Sequence, residues 1–477
     1  MKKFILIILA LVVFAMPVFS EKLMSRRDVL KYAFENSDGL ARIQAEREKV
    51  VEMRREYYGK AFPDINAAFN YVFAPDLNGD SPSFVDGIAP FLRTGATEDE
   101  PTPADWFIND MALAKAIDGA LGGMASMMSA KNTLMWEISA TQPIFAQGKV
   151  RTGLRIADIA LETVDEQYRE AQFNLAQQII NAYNAALMAQ QNLIIQQDAL
   201  VIAEESHRLA LARFNSGRGT VLDTLNTRFA VQQAVLRLRE AEKGHRLSIK
   251  SLANAAALPN DNFTLSDTLV IPHFNLSEEA AWEEMQRNNA SLRLLNKAKK
   301  LQGEQTTLAR TDYRPIVAAF ANIGQVNLFN NSDEFSGSDS WRWRSQIGLG
   351  VQMPIWNGGQ RRSRMNQMRI EELKLEKQES EATSGLRLAL AAAYEDLAVA
   401  REELSQTEQM LVLAEQGFRI SQLAFELGQL TQLELNNNEQ NFRMAKLAQN
   451  SAVFKINTAV VNIARLIGND NLIALGN

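Results

Sequence analysis

The sequence predicts a mixed fold in which very long α-helices alternate with pairs of β-strands, and in which one structural unit occurs twice. Proline is absent from residues 144–258 and from every position after 354, and both runs are rich in Ala, Leu, Gln, Glu and Arg. Because proline breaks helices and these residues favour them, such runs permit helices of unusual length. Just before each run, the spacing of apolar residues changes from the three to four positions of a helix to every second position, which is typical of strands. The phrase QPIFAQGKVR at 142–151 also returns, nearly unchanged, as MPIWNGGQRR at 353–362.

Residues 1–20 are interpreted as a secretory signal peptide. Lys2 and Lys3 precede an apolar run from Phe4 to Met16, and the segment closes on Ser20. The run is too short, and wrongly flanked, for a membrane-spanning helix. The chain contains no cysteine, so it needs no disulfide and carries no lipid on a cysteine after the cleavage site.

Charge and motif content exclude several classes of function. The formal net charge is −6 at pH 7, which gives no reason to expect a nucleic acid as a partner. The three histidines lie far apart in the sequence, so no metal site is expected. No phosphate-binding loop or nucleophile motif occurs, and we expect neither a cofactor nor an enzymatic activity.

The predicted elements follow one another in a regular order. A stripe of apolar residues spaced by three and four predicts a helix over Lys149–Ser216, with a copy over Arg361–Leu427. Such a run without an internal cap is typical of a coiled coil or a helical repeat. Each long helix leads through a glycine turn into a shorter return helix. The segments are the signal peptide (1–20), the first-repeat helix starting at Ser25 (21–62), the first hairpin (63–143, with an insertion at about 75–130), the first long helix, turn and return helix (144–258), a linker (259–276), the second-repeat helix starting at Ser277 (277–314), the second hairpin (315–354), the second long helix, turn and return helix (355–467) and a C-terminal segment (468–477).

The duplication extends well beyond the opening phrase. Matched residues lie at an offset of 252 before the first hairpin and of 211 after it. The offset changes once, by 41 residues, where a segment rich in Pro, Gly, Asp and Ser is inserted into the first copy. The chain is therefore one unit used twice, with a long loop added to the first. The matched pairs are Ser25/Ser277, Asn36/Asn288, Leu40/Leu292, Pro63/Pro315, Pro143/Pro354, Phe214/Phe425, Gly217/Gly428, Thr220/Thr431 and Leu222/Leu433.

Three segments, 65–73, 134–140 and 341–353, alternate as strands with one apolar face do, while the faces of a fourth, 316–328, are not assigned. Alternation alone favours a half-buried strand in a soluble sheet. Lengths of about ten residues, aromatic residues near the ends and export of the chain favour membrane strands instead. Four strands cannot close a barrel in lipid, whereas three chains would supply twelve. The candidate interfacial aromatics are Trp136, Phe145, Trp341, Trp343 and Trp356.

The duplicated order of helix, strand pair, long helix, glycine turn and helix resembles the TolC family of outer-membrane channel proteins. The most specific parts are FNSGRGTVLD (214–223), FELGQLTQLE (425–434) and the closing ARLIGNDNLIALGN. The resemblance implies a homotrimer in outer-membrane lipid, with a twelve-stranded barrel continued by a twelve-helix periplasmic tunnel. The insertion would then be extracellular and the linker would lie in an equatorial region. Members of the family are not enzymes but exit ducts for inner-membrane pumps of the RND or ABC type. A periplasmic adaptor (membrane fusion) protein couples duct and pump. The cargo is drugs and toxic small molecules in efflux, or unfolded proteins in type I secretion.

The resemblance places the two glycine turns at the periplasmic tips, where the family meets its adaptor and narrows its tunnel. The alternative is that each glycine only supplies the positive φ needed between two helices. The tip residues are Gly217, Thr220, Asp223, Gly428 and Thr431.

The resemblance also implies a constriction at the tunnel entrance, formed by Phe425, Leu430, Glu434 and Asn437. In the family these positions hold a Tyr, an Arg and two acidic residues that keep the entrance closed. Here the phenol, the guanidinium and the second acid are absent, so we expect an apolar contact through Phe425 and Leu430 instead. Three-fold symmetry would bring three Glu434 carboxylates together; their mutual repulsion would raise the pKa, and their charge would attract cations.

The repeated phrase is interpreted as a joint where a strand passes into a long helix. Pro143 and Pro354 are expected to end strand pairing, and Gly148 and Gly359 to allow the bend. Basic residues follow each joint, either as a solvated face or as contacts to anionic groups at the membrane surface. They are Lys149, Arg151, Arg155, Arg361, Arg362 and Arg364.

A second class of protein fits part of the pattern. A non-conducting coiled-coil scaffold or adhesin, in the periplasm or at the surface, would explain the helices. It would leave the two matched strand pairs without a role.

Overall fold

The computed structural model of the chain describes residues 22–73, 132–329 and 341–469. The signal peptide, the insertion at about 75–130 and residues 470–477 lie outside these described residues. The elements are β1 (Lys22–Met24), α1 (Arg26–Asn36), α2 (Asp38–Gly59), β2 (Asp64–Phe73), β3 (Asn132–Phe145), α3 (Lys149–Asn215), α4 (Val221–Ala255), β4 (Phe263–Leu265), α5 (Glu278–Asn288), α6 (Ala290–Thr311), β5 (Ile316–Phe329), β6 (Trp341–Gln352), α7 (Gln360–Glu426) and α8 (Gln432–Ile467). The described residues divide between two compact units, one drawn from 22–45, 165–295 and 378–469, and the other from 46–73, 132–164, 296–329 and 341–377.

The two long helices, α3 and α7, contain 67 residues each. Each begins and ends within one residue of the bounds that the apolar stripe predicts. Each is followed by a return helix, α4 of 35 residues or α8 of 36. No helix among the described residues is long and apolar enough to cross a membrane.

The helices predicted over 21–62 and 277–314 are wrong as single elements, because each is interrupted. The first divides into α1 and α2 at Ser37, and the second into α5 and α6 at Asn289. Both residues have extended backbone, with ψ of 118° at Ser37 and 125° at Asn289. Asn289 Oδ1 accepts a hydrogen bond from the Leu292 amide at 3.1 Å, so this residue ends one helix and caps the next. Short polar side chains compete with helix backbone in this way.

In the first unit, buried side chains of α3 pack against α1 and α4, while a second cluster joins α5, α7 and α8. The segment 259–276, predicted as a linker, also contains a strand: β4 pairs in parallel with β1. Tyr183 Oη donates a hydrogen bond to Met24 O at 3.1 Å and ties this strand pair to α3. Strands of three residues carry no readable period, so the sequence did not predict the pairing.

The second unit contains a four-stranded antiparallel sheet in the order β2-β3-β5-β6. Its central pair, β3 and β5, brings together strands from the two different repeats. Ile138 lies opposite both Ala67 and Ile323, and Ile323 lies opposite Ser345. This register assigns the faces of β5, which the sequence left open: its odd-numbered residues share the apolar face of the other strands.

Pro143 does not end strand pairing as expected, because β3 continues to Phe145. Pairing on the β2 side stops at Thr141, opposite Asp64, and the register with β5 shifts between Pro143 and Phe145. Proline is tolerated at such edges and irregularities because no ladder hydrogen bond needs its missing N–H. Pro354 lies just beyond β6, which ends at Gln352.

Most of the predicted basic cluster is engaged within the second unit rather than fully solvated. Lys149 Nζ and Arg364 Nη1 lie 3.1 Å and 3.0 Å from the two carboxylate oxygens of Asp312, which follows the last residue of α6. Arg361 Nη1 donates a hydrogen bond to the carbonyl oxygen of Asp312 at 3.2 Å. Arg155 Nη2 lies 2.8 Å from Glu304 Oε2. Asp312 thus joins the ends of α6, α3 and α7.

We expect Asp312→Asn to lower the free energy of unfolding by about 2–4 kcal/mol, because it removes the carboxylate charge that pairs with both the largely buried Lys149 ammonium and Arg364. The Lys149 and Asp312 side chains are 10% and 14% exposed. Denaturant titration of the purified protein measures the loss. Glu46→Gln, which breaks the exposed pair with Lys49, is the matched control and should change stability by less than about 0.5 kcal/mol. Equal effects of the two substitutions would contradict this role of Asp312.

Candidate functional site

Both glycine turns have the left-handed backbone that the sequence predicts, with φ of +74° at Gly217 and +79° at Gly428. The Gly217 amide donates to Phe214 O at 3.0 Å, and the Arg218 amide donates to Arg213 O at 2.9 Å. The same two bonds recur at Gly428 and the residue after it. This pattern satisfies the last carbonyls of each long helix and reverses the chain.

The return helices α4 and α8 each begin with a reciprocal capping box. Thr431 Oγ1 accepts a hydrogen bond from the Glu434 amide at 3.3 Å, and Glu434 Oε2 accepts one from the Thr431 amide at 2.9 Å. Thr220 and Asp223 repeat the arrangement. In a single chain, hydrogen bonds from the Thr431 side chain and backbone hold the pKa of Glu434 below its usual value. This direction is the reverse of the one expected from repulsion between carboxylates.

The two turns differ at Phe214 and its counterpart Phe425. The Phe214 side chain is 41% exposed, whereas that of Phe425 is 4% exposed. Phe425 packs in a cluster with Phe418 and Leu435, against which Leu430 is partly buried. Phe425 and Leu430 thus pack in one apolar cluster within the chain, and the role of this cluster in holding the entrance closed stays a prediction.

A cation–π contact joins the two turns. The guanidinium carbon of Arg213, in the last turn of α3, lies 4.5 Å from the centroid of the Phe425 ring near the end of α7. A Cβ on Gly428 would lie 3.1 Å from Arg213 Nη2, so the glycine also makes room for this arginine. We call this the Arg213–Phe425 contact. The sequence did not reveal it, because nothing in the repeat marks Arg213 as different from its neighbours.

Of the remaining predicted entrance residues, Glu434 and Asn437 are both exposed. They lie three positions apart on α8 and therefore share one face of the helix. They do not join the cluster that holds Phe425.

The sheet of the second unit presents one apolar face that is largely exposed in the single chain. Ile347 is the extreme case, with 88% of its side chain exposed. The paired register puts odd-numbered residues of β2, β5 and β6 and even-numbered residues of β3 on this face. Its larger members include Ile65, Phe69, Tyr71, Ile138, Ile323, Trp343, Ile347, Leu349 and Val351.

Aromatic side chains lie towards both ends of this apolar face. Trp136 and Trp343 make an edge-to-face contact with ring centroids 5.9 Å apart, and Trp136 Nε1 donates to Gln325 Oε1 at 3.2 Å. Trp341 is two residues from Trp343 on β6. At the opposite end Phe145 and Trp356 are both exposed.

The strand–helix joints contain two consecutive left-handed residues in each copy. Gly148 has φ of +83° and Gly359 of +84°, and the residues before them, Gln147 and Gly358, also have positive φ. Gln147 is buried, and its Nε2 donates a hydrogen bond to the carbonyl oxygen of Arg314. The sequence did not predict a glutamine in this conformation, because the side-chain partner that stabilises it is distant in the chain.

Comparison with known proteins gives consistent matches. A family model described as "Outer membrane efflux protein" matches residues 121–257 and 281–469. The chain is 24% identical over 235 residues to the alkaline protease secretion protein AprF of Pseudomonas aeruginosa, covering 47% of this chain and 46% of that protein. It is 26% identical over 278 residues to protein CyaE of Bordetella pertussis, covering 56% and 54%. The chain thus spans about half the length of the curated relatives it matches.

A solved structure shares the fold over nearly the whole chain. The outer membrane protein VceC of Vibrio cholerae matches with a TM-score of 0.67, at 14% identity, over 93% of this chain and 96% of VceC. At this identity the likeness concerns the fold alone, and it confirms the predicted combination of long helices with a small sheet.

We expect Gly217→Ala to destabilise the protein by about 1 kcal/mol, because alanine resists a positive φ. Gly428→Ala should cost more, since its new Cβ would also displace Arg213. Gly244→Ala is the matched control: this glycine lies within α4 with open space around it, so alanine should stabilise by about 0.5–1 kcal/mol. Thermal or denaturant unfolding measures all three, and a turn glycine that tolerates alanine as Gly244 does would contradict the assignment.

Proposed function

The chain belongs to the outer membrane efflux protein family, and on that premise we propose that it is the outer-membrane exit duct of a tripartite efflux pump or a type I secretion system. Proteins of the family and the solved neighbours are outer-membrane channels with a large periplasmic part. The resemblance to the TolC family and the outer-membrane location are therefore confirmed. The pump, the partners and the cargo are what we propose here.

The observation that carries the proposal is the sheet with an exposed apolar face and two open edges. Within the described residues, β2 and β6 each pair on one side only. Unpaired backbone groups are not tolerated in lipid, so such a sheet must close on others. The four strands alternate in direction, and β6 of one chain would again be antiparallel to β2 of the next. Three chains would close a twelve-stranded barrel with its apolar face towards lipid.

Exposed side chains on α7 support association of the helices as well. A stripe about 100° wide runs along this helix, as expected for packing against another helix. Each residue in the stripe is more than half exposed in the single chain. Successive members are three, seven or eleven positions apart in the sequence. Its members are Leu388, Val399, Met410, Leu413 and Ile420 on α7, continued by Leu427 just beyond the end of the helix. We propose that these residues pack between chains in a twelve-helix periplasmic tunnel.

The proposed partners are two further copies of the chain, a periplasmic adaptor at the turns of Gly217 and Gly428, and an inner-membrane pump of the RND or ABC type. The proposed cargo is either small toxic molecules and drugs or unfolded proteins. The match to a protein named for alkaline protease secretion makes protein cargo the first to test. The alternative of a non-conducting scaffold or adhesin is less favoured, because it provides neither lipid nor protein to cover the exposed apolar face of the sheet.

Electrical recording and genetics test the proposal together. The full-length protein, purified from outer membranes and added to planar lipid bilayers, should form trimers that conduct. Deletion of its gene should either sensitise cells to toxic compounds or abolish secretion of specific proteins, and a plasmid copy should restore the lost phenotype. A monomer, or a trimer that never conducts, would overturn the channel assignment.

We propose that the Arg213–Phe425 contact helps to hold the entrance closed. We expect Arg213→Gln to raise single-channel conductance, because it removes a cation–π contact of about 0.5–2 kcal/mol between the two turns. Phe425→Leu should have the same effect, and the double variant should add little. Arg208→Gln is the matched control, since Arg208 is an exposed arginine of the same helix that pairs only locally with Glu205. Unchanged conductance in both contact variants would exclude this role.

A further inference from the structure

Every charged residue in the four strands of the sheet lies on the same face. The strands contain four charged residues in all, Asp64, Glu137, Arg342 and Arg344. Within each strand, odd-numbered and even-numbered residues lie on opposite faces of the sheet. The register places each of the four charged residues on the face away from the apolar residues of its strand. One face of the sheet is thus free of charge, and the other carries all of it.

Both arginines lie towards the end of the sheet that is remote from the strand–helix joints. We call residues that lie directly opposite one another on neighbouring strands a row. Arg344 is in one row with Gly324 and Glu137, and Arg342 is in another with Val326 and Met135. The two rows are two residues apart, which is about 7 Å along a strand. Among the described strand residues, this end of the charged face therefore carries two positive charges and one negative charge per chain.

Gly324 separates the two opposite charges that share a row. A Cβ at this position would lie 2.2 Å from Trp136 O and 2.9 Å from Glu137 Cα, so the strands approach too closely here for any side chain. With no side chain between them, Glu137 and Arg344 interact electrostatically across the gap. Arg342 lies beyond this pair, nearer to the end of its strand, and its side chain is exposed.

The fourth charge is too far away to neutralise the arginines. Asp64 lies opposite Thr141, four residues along β3 from Glu137. That separation is about 13 Å along the strand, and Arg342 is about 20 Å away. Both distances exceed the screening length of about 8 Å at physiological salt.

We propose that Arg342 and Arg344 form an anion-attracting ring near the outer end of the channel lumen. The inference rests on the proposed function, since only barrel closure turns the charged face into a lumen. Counting the strand residues that the structure describes, three chains would place six guanidinium groups against three carboxylates there, a net positive charge of three. A ring of charged side chains at a narrow passage sets ion selectivity. The ring would favour small anions and acidic segments of the cargo over cations.

Reversal potentials across a KCl gradient in planar bilayers test the ring with full-length protein. The wild type should prefer chloride, and the double variant Arg342→Gln with Arg344→Gln should lower the chloride-to-potassium permeability ratio several-fold. Glu137→Gln should shift the ratio in the opposite direction. The double variant Arg342→Lys with Arg344→Lys keeps the charge and is the matched control, so its ratio should stay near that of the wild type. All effects should shrink at high salt.

The outcomes separate the two proposals. If no variant and no wild-type sample conducts, the channel assignment itself fails and the ring fails with it. If the wild type conducts but the glutamine double variant leaves the permeability ratio unchanged, the channel stands and the ring is excluded. An equal shift in the lysine and glutamine double variants would also exclude it, because the effect would then follow shape rather than charge.

Discussion

The open edges of β2 and β6 are the constraint on which the rest of the molecule depends. A sheet of four strands with an apolar outer face cannot leave two rows of backbone donors and acceptors in lipid. One chain has no further strand among its described residues with which to cover them. The two repeats of a strand pair and a long helix supply an even number of alternating strands. In the proposed assembly, copies of the chain would therefore extend the sheet without a parallel pair.

Duplication gives near-symmetry, and the departures from it are informative. The glycine turns, the threonine caps and the paired left-handed residues at the joints recur in both copies. Phe214 and Phe425 occupy matched positions, yet one is exposed and the other is buried under Arg213. The repeat thus supplies a common framework, and single side chains give the two turns different contacts.

Sequence reasoning succeeded where a feature is encoded locally. Proline-free apolar stripes predicted α3 and α7 to within one residue, and the glycines at 217 and 428 predicted both turns. It failed where a distant partner decides the conformation: Asn289 bonds to Leu466 O, Gln147 to Arg314 O, and β1 to β4. The burial of Phe425 was not predicted either, because it depends on Arg213, Phe418 and Leu435, which no periodic pattern brings together.

The pairing of β3 with β5 also has a temporal consequence. Ile138 and Ile323 are neighbours in the sheet but 185 positions apart in the chain, and such non-local contacts form slowly. In export from the N-terminus, β2 and β3 would reach water before β5, so the partner of β3 would still be missing. Folding of the sheet must therefore wait for the second repeat, and the waiting chain exposes the kind of apolar strand that aggregates. This order of strands thus leaves the early apolar strands open to aggregation for longer than a sheet built only from consecutive strands would.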